Sequence, residues 1–318
     1  MSNEPLRILV VGGGAIGGFY GGLLARQGHD VAVVCRGNYA QVQQGGFDIQ
    51  SPLGHLSFRP SEVLSSPADY RGFPDYLLLC VKVIDGLDRA ALIQPAVGPE
   101  TTLVLIENGI HIESDIAARF PNNPLISGLA FVAVSRAAPA GIVHRAYGDL
   151  VLGLYGDAPG VGALERLAEA FRQSGIACDI TDDVETARWG KCVWNASFNP
   201  VSVLAGGVDT ATILSAEGGE RLIRSAMREV TFIAAAEGHP LPDEVVDLNI
   251  ERTRAMPPYK TSMALDFEHG RPMEVDAVLG RAVSAAHRLG VPVPVLETLL
   301  QLMKIQQRRM QSVASQGA

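Results

Sequence analysis

Two kinds of hydrophobic spacing divide the chain. From Leu6 to about residue 180, short apolar runs such as RILVV, DVAVVC and TTLVLI alternate with amphipathic stretches, which is typical of a doubly wound α/β sheet. From Asp182 onward, almost every long segment carries apolar residues at helical spacing, interrupted by turns that contain glycine or proline. The pattern predicts an N-terminal doubly wound sheet followed by an all-helical domain.

The boundary between these domains is predicted at residue 182. Asp182 and Glu185 have the spacing of a capping box, in which two side chains satisfy free N–H groups where a helix begins. The predicted domains are therefore residues 1–182 and 183–318.

Composition and charge exclude several classes of protein. The 34 acidic against 26 basic residues give a net charge of -8, the wrong sign for a nucleic-acid partner. No apolar run approaches the roughly 20 residues of a membrane span, and no leader is recognisable, so we expect a cytoplasmic protein without membrane contact. The cysteines lack metal-ligand or disulfide spacing and predict reduced, buried thiols; they are Cys35, Cys80, Cys178 and Cys192.

A glycine-rich turn follows the first predicted strand and precedes a helical stretch. In this context the glycines allow a tight turn, close approach to a pyrophosphate and close helix packing, and the helix N-terminus supplies free N–H groups. The turn therefore predicts a dinucleotide-binding site of the Rossmann type, formed by Gly12, Gly14, Ala15, Ile16 and Gly17.

An arginine ends the second predicted strand, at Arg36. At this place an acid binds the ribose 2′-hydroxyl of NAD, whereas an arginine accommodates the 2′-phosphate of NADP. Arg36 therefore predicts NADP(H) as the cofactor, with Asn38 as a candidate helper. The alternative is a solvated loop arginine.

Two more polar residues end apolar runs where open α/β sheets bind ligands. Lys82 ends LLLCVK, and Asn108 with Gly109 ends TTLVLIENG. Both side chains are expected to line the crevice that holds the nicotinamide. A hairpin turn is the alternative for Asn-Gly, but the following IHIESDIAARF looks helical; for Lys82 a solvated lysine remains equally open.

In the second half, Lys191, Asn195 and Asn199 recur at steps of four residues. On a helix this spacing places them on one stripe, within reach of one small ligand. The stripe faces either solvent or a polar cavity, and the nearby Pro200 favours tight packing. Two later residues are further candidates: Ser262 at a predicted helix start and Glu274 in the first turn of an amphipathic helix. Their alternatives are an N-cap and an acid at the positive helix end.

These motifs together, in order, resemble the ketopantoate reductase family over nearly the whole chain: GGGAIGG, the VK at Lys82, the ENG at Asn108, PAGIVHRAYGDLVLG with its His144, KCVWNASFNP and TSMALDFEHGRPMEVDAVLG. The resemblance implies a Rossmann domain that binds NADP(H), a helical domain for substrate and catalysis, and NADPH-dependent reduction of a 2-keto acid between them.

The resemblance also implies residue roles. Lys191 is the general acid, Glu274 is a second catalytic residue that also contacts the cofactor, and Asn108, Asn195, Asn199 and Ser262 contact the substrate, while Lys82 and Asn108 contact the cofactor. A lysine ammonium suits the acid role because hydride delivered to a carbonyl carbon leaves charge on oxygen. No metal is required.

The implied reaction is reduction of 2-dehydropantoate to pantoate in pantothenate biosynthesis. Leu265 and Met273 stand where relatives tend to have polar residues, so another branched 2-keto acid is the alternative substrate. A non-catalytic NADP(H)-sensing regulator is a third hypothesis, which the Lys, Asn, Ser and Glu set disfavours. The apolar stripe of the last helices suits internal packing or a homodimer equally.

Overall fold

The computed structural model describes residues 4–137, 140–156 and 160–316, with side chains up to residue 312. Contacts divide the chain into two compact units. Unit 1 comprises Met1–Lys82, Asp88–Glu107 and Ile112–Val184; unit 2 comprises Val83–Leu87, Asn108–His111 and Glu185–Ala318. Val83–Leu87 and Asn108–His111 lie in the N-terminal half of the chain but belong to unit 2. A single domain boundary in the sequence cannot describe this arrangement. The functional division at residue 182 stays a prediction.

The described residues of unit 1 form one sheet of ten strands. The strands are β1 Arg7–Val11, β2 Asp30–Val34, β3 Phe47–Gln50, β4 Leu56–Phe58, β5 Val63–Leu64, β6 Tyr76–Leu79, β7 Thr102–Ile106, β8 Leu125–Arg136, β9 Gly141–Leu154 and β10 Cys178–Ile180. Six of them lie parallel in the order β5-β2-β1-β6-β7-β8, the strand order of a dinucleotide-binding sheet. The predicted doubly wound α/β fold is confirmed.

The remaining strands extend this sheet at one side. β9 pairs antiparallel with β8 and parallel with β3 and β10, and β4 pairs antiparallel with β3. The central strands β6 and β7 are buried at every residue, which explains why their sequences are continuous apolar runs without alternation.

In the part of unit 1 that the structure describes, the helices are α1 Ala15–Arg26, α2 Tyr39–Gly45, α3 Arg89–Ile93, α4 Ser114–Arg119 and α5 Val161–Gln173. Short 3-10 turns span Pro67–Asp69 and Gln94–Ala96. Helix α1 lies very close to the sheet: a Cβ at Gly18 would be 2.4 Å from Ile142 Cδ1, and one at Gly22 would be 2.8 Å from Ile49 Cδ1. Its glycines therefore keep the glycine turn near the strand ends.

The described part of unit 2 is helical, as predicted. Its helices are α6 Val184–Leu204, α7 Thr210–Ser215, α8 Gly219–Ala236, α9 Val245–Ala255, α10 Ser262–Glu268, α11 Arg281–Leu289 and α12 Pro294–Gln316, with a π-helical segment over Asp276–Gly280 before α11. Because α6 begins at Val184, the residue before it is Asp183, so the capping box predicted at Asp182 is placed one residue too early.

A buried carboxylate organises the packing of the last helix. Glu229 on α8 accepts hydrogen bonds from the backbone N–H groups of Val295 and Leu296, at 3.0 and 2.8 Å. These donors lie in the first turn of α12, where no intrahelical acceptor exists. Glu229 therefore holds the start of α12 against α8 within the core of unit 2.

All four cysteines are free thiols. Cys35, Cys178 and Cys192 are buried and Cys80 is partly buried, and burial raises the pKa of Cys35 to about 11. Among the described helices, none combines the length and the apolar character that crossing a membrane requires. The described residues also hold no cluster of three His, Cys, Asp or Glu side chains suited to a metal ion.

Candidate active site

At two positions of the turn after β1, the packing of the protein itself requires glycine. Gly12 has a φ of +113°, and an added Cβ would be 2.8 Å from the carbonyl oxygen of Cys80. At Gly17, in the first turn of α1, an added Cβ would be 2.2 Å from the carbonyl oxygen of Gly12. Larger residues at either position would push the turn, the helix and the strand apart.

Gly14 differs from these two. It has φ and ψ of -87° and -160°, which other residues adopt easily, and an added Cβ would meet no protein atom within 4 Å. Among the described residues, none would clash with a larger side chain at this position. Gly14 is the N-cap of α1 and provides no side-chain cap, so the first N–H groups of the helix suit an anion.

A matched pair of variants separates these roles. Gly14→Ala is expected to change the unfolding free energy of the free protein by less than about 1 kcal/mol. If the turn binds a dinucleotide as the sequence predicts, the added methyl group would meet the pyrophosphate, and NADPH binding is expected to weaken about tenfold or more. Gly17→Ala is expected to cost about 1–3 kcal/mol of stability through overpacking. Urea denaturation and NADPH fluorescence titration measure both. Unchanged NADPH affinity in Gly14→Ala would contradict this assignment.

Arg36 lies two residues beyond β2 and is exposed. Asn38, predicted as its helper, is buried, and its Nδ2 donates to the carbonyl oxygen of Gly13 at 2.8 Å. Its amide therefore holds the glycine turn. Lys82, three residues beyond β6, is partly buried, and its contact with a cofactor stays a prediction.

The Asn108–Gly109 turn is not a hairpin, because β7 and β8 run parallel. The sequence argument against the hairpin is confirmed. Gly109 has a φ of +109°, and an added Cβ would be 2.5 Å from the carbonyl oxygen of Ala277 in the π-helical segment. The next residue, Ile110, donates its N–H to the same oxygen at 3.2 Å. Within unit 2 the turn is thus fixed against the segment that follows Glu274.

Three predicted site residues form one hydrogen-bonded chain in unit 2. Lys191 Nζ donates to Asn108 Oδ1 at 3.0 Å, and Asn108 Nδ2 donates to Glu274 Oε2 at 3.4 Å. Glu274 Oε1 accepts from the backbone N–H of Val83 at 3.0 Å. Asn108 therefore links the ammonium to the carboxylate, with its oxygen towards the cation and its amide towards the anion. Glu274 precedes the helix instead of lying in its first turn, since the helical residues begin at Val275.

The environment of Lys191 favours loss of its proton. The residue keeps some exposed surface, but burial of its ammonium, followed by repulsion from Arg188, lowers the pKa of Lys191 to about 7, against an opposing contribution from Glu274. A general acid works best when its pKa lies near the working pH. Strongly shifted pKa values in a cavity are typical of functional sites.

A small cavity, partly open to solvent, lies beside Lys191. Its lining residues are Gly109, Arg188, Lys191, Cys192, Asn195 and Val278. Lys191 and Asn195 thus share this cavity, as their spacing on α6 predicts. Asn199, one turn further along, is buried, and its Oδ1 has no hydrogen-bond partner among the described residues.

Ser262 is not among the residues that line the cavity. It is exposed in the first turn of α10, and the N-cap is the preceding Thr261, whose hydroxyl accepts from the N–H of Ala264. The N-cap alternative for Ser262 is therefore wrong by one residue, while its contact with substrate stays a prediction.

Two residues had suggested a different substrate, Leu265 and Met273. Met273 is 3% exposed and belongs to the hydrophobic core of unit 2, and neither residue lines the cavity. The alternative substrate that these two residues suggest stays a prediction.

Sequence reasoning missed Arg188, a second cation of the cavity. It is 4% exposed, and its Nη1 donates to the carbonyl oxygen of Gly109 at 3.1 Å. Arg188 precedes Lys191 by three residues, so helical spacing was a signal that placed it on the same stripe. A single arginine among apolar residues is easily mistaken for a surface residue.

Comparison with known proteins gives consistent matches. The sequence pattern of ketopantoate reductase PanE/ApbA matches residues 8–157, and that of its C-terminal domain matches residues 183–307. A solved 2-dehydropantoate 2-reductase from Methylococcus capsulatus is 51% identical, with a TM-score of 0.89, over 96% of this chain and 98% of that one. Its counterpart from Geobacter metallireducens GS-15 is 34% identical, with a TM-score of 0.89, over 94% and 99%.

A curated 2-dehydropantoate 2-reductase from Nostoc sp. is 28% identical over 93% of both chains. The fold, the glycine turn and these matches define the class of the protein, which is an oxidoreductase. The chain belongs to the ketopantoate reductase family.

Proposed function

We propose that the protein reduces the ketone of 2-dehydropantoate to pantoate with NADPH, as a step of pantothenate biosynthesis. One observation carries this: on the wall of a cavity, Lys191 is hydrogen-bonded to Asn108 and has a pKa near 7. A buried, titratable ammonium is the group that a carbonyl reduction needs on its oxygen side.

Lys191 acts as the general acid. NADPH supplies the hydride when bound. As negative charge develops on the carbonyl oxygen, the Lys191 ammonium stabilises that charge and then donates its proton from Nζ. Asn108 holds Nζ in place, and Glu274 acts through Asn108, since its carboxylate fixes the orientation of the amide. Glu274 also contributes the charge that favours the protonated lysine.

The substrate contacts follow from the cavity and from α6. Asn195 lines the cavity, and the buried Asn199 carries an amide oxygen that accepts no hydrogen bond from any residue the structure describes. We assign both, with Asn108, Lys191 and Ser262, to the 2-oxo acid. The amide groups of the asparagines and the hydroxyl group of Ser262 both donate and accept hydrogen bonds. They therefore suit the carboxylate and the hydroxyl group of the substrate.

NADP(H) is the proposed cofactor. The glycine turn, Gly12 to Gly17 with Ala15 and Ile16, suits the pyrophosphate, and open space beside Gly14 would let a phosphate approach the backbone. Arg36 is exposed beyond β2, where a 2′-phosphate is recognised. Lys82, Asn108 and Glu274 complete the proposed cofactor contacts.

The function is tested by following NADPH absorbance with purified protein and a panel of 2-oxo acids. The highest kcat/KM is expected for 2-dehydropantoate. A higher value for another branched 2-oxo acid would change the substrate and keep the reaction. Tight NADPH binding with no turnover of any 2-oxo acid would favour the sensing regulator instead.

The pH dependence follows from the direction of the Lys191 shift. Lys191 acts in its protonated form, and its pKa is lowered to about 7, so activity is full below this value and is lost as the pH rises through it. We expect kcat/KM to fall about tenfold per pH unit above that point. Steady-state rates across the pH range measure it. A decline only near the ordinary lysine pKa of about 10.4 would contradict the shift.

We also propose a cytoplasmic location and a homodimer. On α12 the side chains of Leu302 and Ile305 are 45% and 66% exposed, which favours a seam between two copies over internal packing. Sedimentation equilibrium of the purified protein tests this, and a monomer at all concentrations would leave α12 as a solvent-facing helix.

A further inference from the structure

The turn that carries Asn108 ends in a residue with an unusual backbone conformation. Among the described residues, two that are not glycine have a positive φ: His111 with +52° and Tyr147 with +63°. This conformation is unfavourable for a residue with a side chain, and it persists where the surroundings hold it in place. Glycine would adopt it without strain. A histidine here therefore needs side-chain contacts that offset the strain.

The His111 side chain contacts α8. Its Nε2 lies 2.8 Å from Oε2 of Glu237, the residue at the C-terminal end of that helix. Although burial opposes it, a hydrogen bond from Arg288 and the attraction of His111 lower the pKa of Glu237. The carboxylate is therefore ionised and accepts the hydrogen bond, so Nε2 of His111 carries a proton.

The imidazole ring of His111 also packs on α6, the helix that carries Lys191. It lies edge-to-face against Trp189, with 6.0 Å between the ring centroids and 83° between the ring planes, a favourable arrangement for aromatic rings. Trp189 is 2% exposed and precedes Lys191 by two residues. The turn is thus attached to α6 at two points, through the ring of His111 and through the hydrogen bond from Lys191 to Asn108.

The backbone of the turn is held at the same end. Arg281 Nη1 donates to the carbonyl oxygens of Ile110 and His111, at 3.4 and 2.7 Å. The N–H of Ile110 donates to the carbonyl oxygen of Ala277 at 3.2 Å. Because only two residues separate His111 from Asn108, a shift at one end of the turn displaces the other.

We propose that His111 is a positioning residue: its ring anchors the turn to α6 and α8, and thereby keeps the Asn108 amide in contact with Lys191. This inference rests on the proposed function and deepens it. His111 acts through Asn108 and takes no part in the proton transfer. A displacement of about 1 Å at a catalytic group can lower a rate about a hundredfold, so an anchor of this kind affects kcat.

The test uses His111→Gly, with Tyr147→Gly as the matched control. Both variants replace a strained residue by one that adopts a positive φ freely, and Tyr147 is 53% exposed on β9. For His111→Gly we expect kcat with 2-dehydropantoate to fall about tenfold to a hundredfold, while the dissociation constant of NADPH changes little. Tyr147→Gly is expected to retain the wild-type kcat. If His111→Gly retains it as well, the side chain has no positioning role and the inference is overturned.

Hydrogen exchange provides a readout that is independent of turnover. The N–H of Ile110 is bonded to Ala277, so its exchange rate measured by NMR reports whether the turn stays in place. Exchange at Ile110 is expected to be about tenfold faster in His111→Gly than in the wild type, and unchanged in Tyr147→Gly. Equal rates in His111→Gly and the wild type would overturn the inference. If the wild type reduces no 2-oxo acid, the proposed function fails, and this measurement still decides whether His111 holds the turn.

Variants of Glu237 keep the test decisive if His111→Gly does not fold. Glu237→Gln keeps an oxygen that accepts from His111 and is expected to retain kcat within about threefold. Glu237→Ala removes the acceptor and is expected to lower kcat about tenfold. Arg288→Ala is the control, because Arg288 also pairs with Glu237, and it is expected to leave kcat unchanged. Equal losses in Glu237→Ala and Arg288→Ala would overturn the inference, because they would show that Glu237 acts through Arg288 instead of through His111.

Discussion

Lys191→Ala is expected to lower kcat by about a hundredfold to ten-thousandfold, the usual range for loss of a positioned general acid. The variant removes the proposed proton donor for the alkoxide, and it also removes the hydrogen bond from Lys191 Nζ to Asn108 Oδ1. KM for NADPH is expected to change little, since the cofactor contacts assigned to the glycine turn and Arg36 are retained. The alkaline decline of the remaining activity is expected to vanish, because its titrating group is gone.

Lys304→Ala is the matched control for that experiment, because Lys304 is an exposed lysine on α12. It is expected to leave kcat and its pH profile unchanged. Steady-state rates of NADPH oxidation and circular dichroism compare the variants. A folded Lys191→Ala protein with wild-type turnover would remove Lys191 from the mechanism, and with it the main support for a reductase.

Arg36→Ser is expected to raise KM for NADPH about tenfold to a hundredfold, the effect of losing a hydrogen bond between charged groups. KM for NADH is expected to stay nearly constant, since NADH lacks the 2′-phosphate that Arg36 is assigned to bind. The preference for NADPH over NADH should therefore collapse while kcat with saturating cofactor is retained. Initial rates with both cofactors, over a range of concentrations, measure the change.

Arg71→Ser provides the comparison, because Arg71 is also exposed and belongs to unit 1. It should leave both KM values unchanged apart from small effects of net charge. If Arg36→Ser changes KM for NADPH and KM for NADH equally, Arg36 does not recognise the 2′-phosphate. The proposed preference for NADP(H) would then have no residue assigned to it. In the wild type, a smaller preference for NADPH over NADH at high salt would agree with an exposed charge pair between Arg36 and the 2′-phosphate, because salt screens such pairs.

Lys191 combines a fixed position with a pKa near neutral pH. The hydrogen bond to Asn108 holds its Nζ in place, while its surroundings lower its pKa. Asn108 accepts a hydrogen bond from Lys191 and donates one to Glu274. Burial and Arg188 lower the lysine pKa, while Glu274 raises it. The lysine pKa near 7 results from this balance.

Features with short sequence spacing were predicted well. The glycine turn stands between a strand and a helix, and the step of four residues from Lys191 to Asn195 describes one face of α6. Helix starts were less well predicted: the residue before α6 is Asp183 and the N-cap of α10 is Thr261, each one residue from its expected place. Neighbouring polar residues compete for the same cap, and only the packed helix selects between them.

The sequence by itself determined the fold class and the chemical types available to the site, because strand and helix periodicity and glycine turns are local properties of the chain. Only the tertiary structure decided which groups meet. Asn108 and Glu274 are 166 residues apart in the chain and lie in hydrogen-bond contact, and Arg188 acts on Lys191 because both are withdrawn from water. Burial and long-range contact set the electrostatics of the site, and both arise only when the helices of unit 2 pack together.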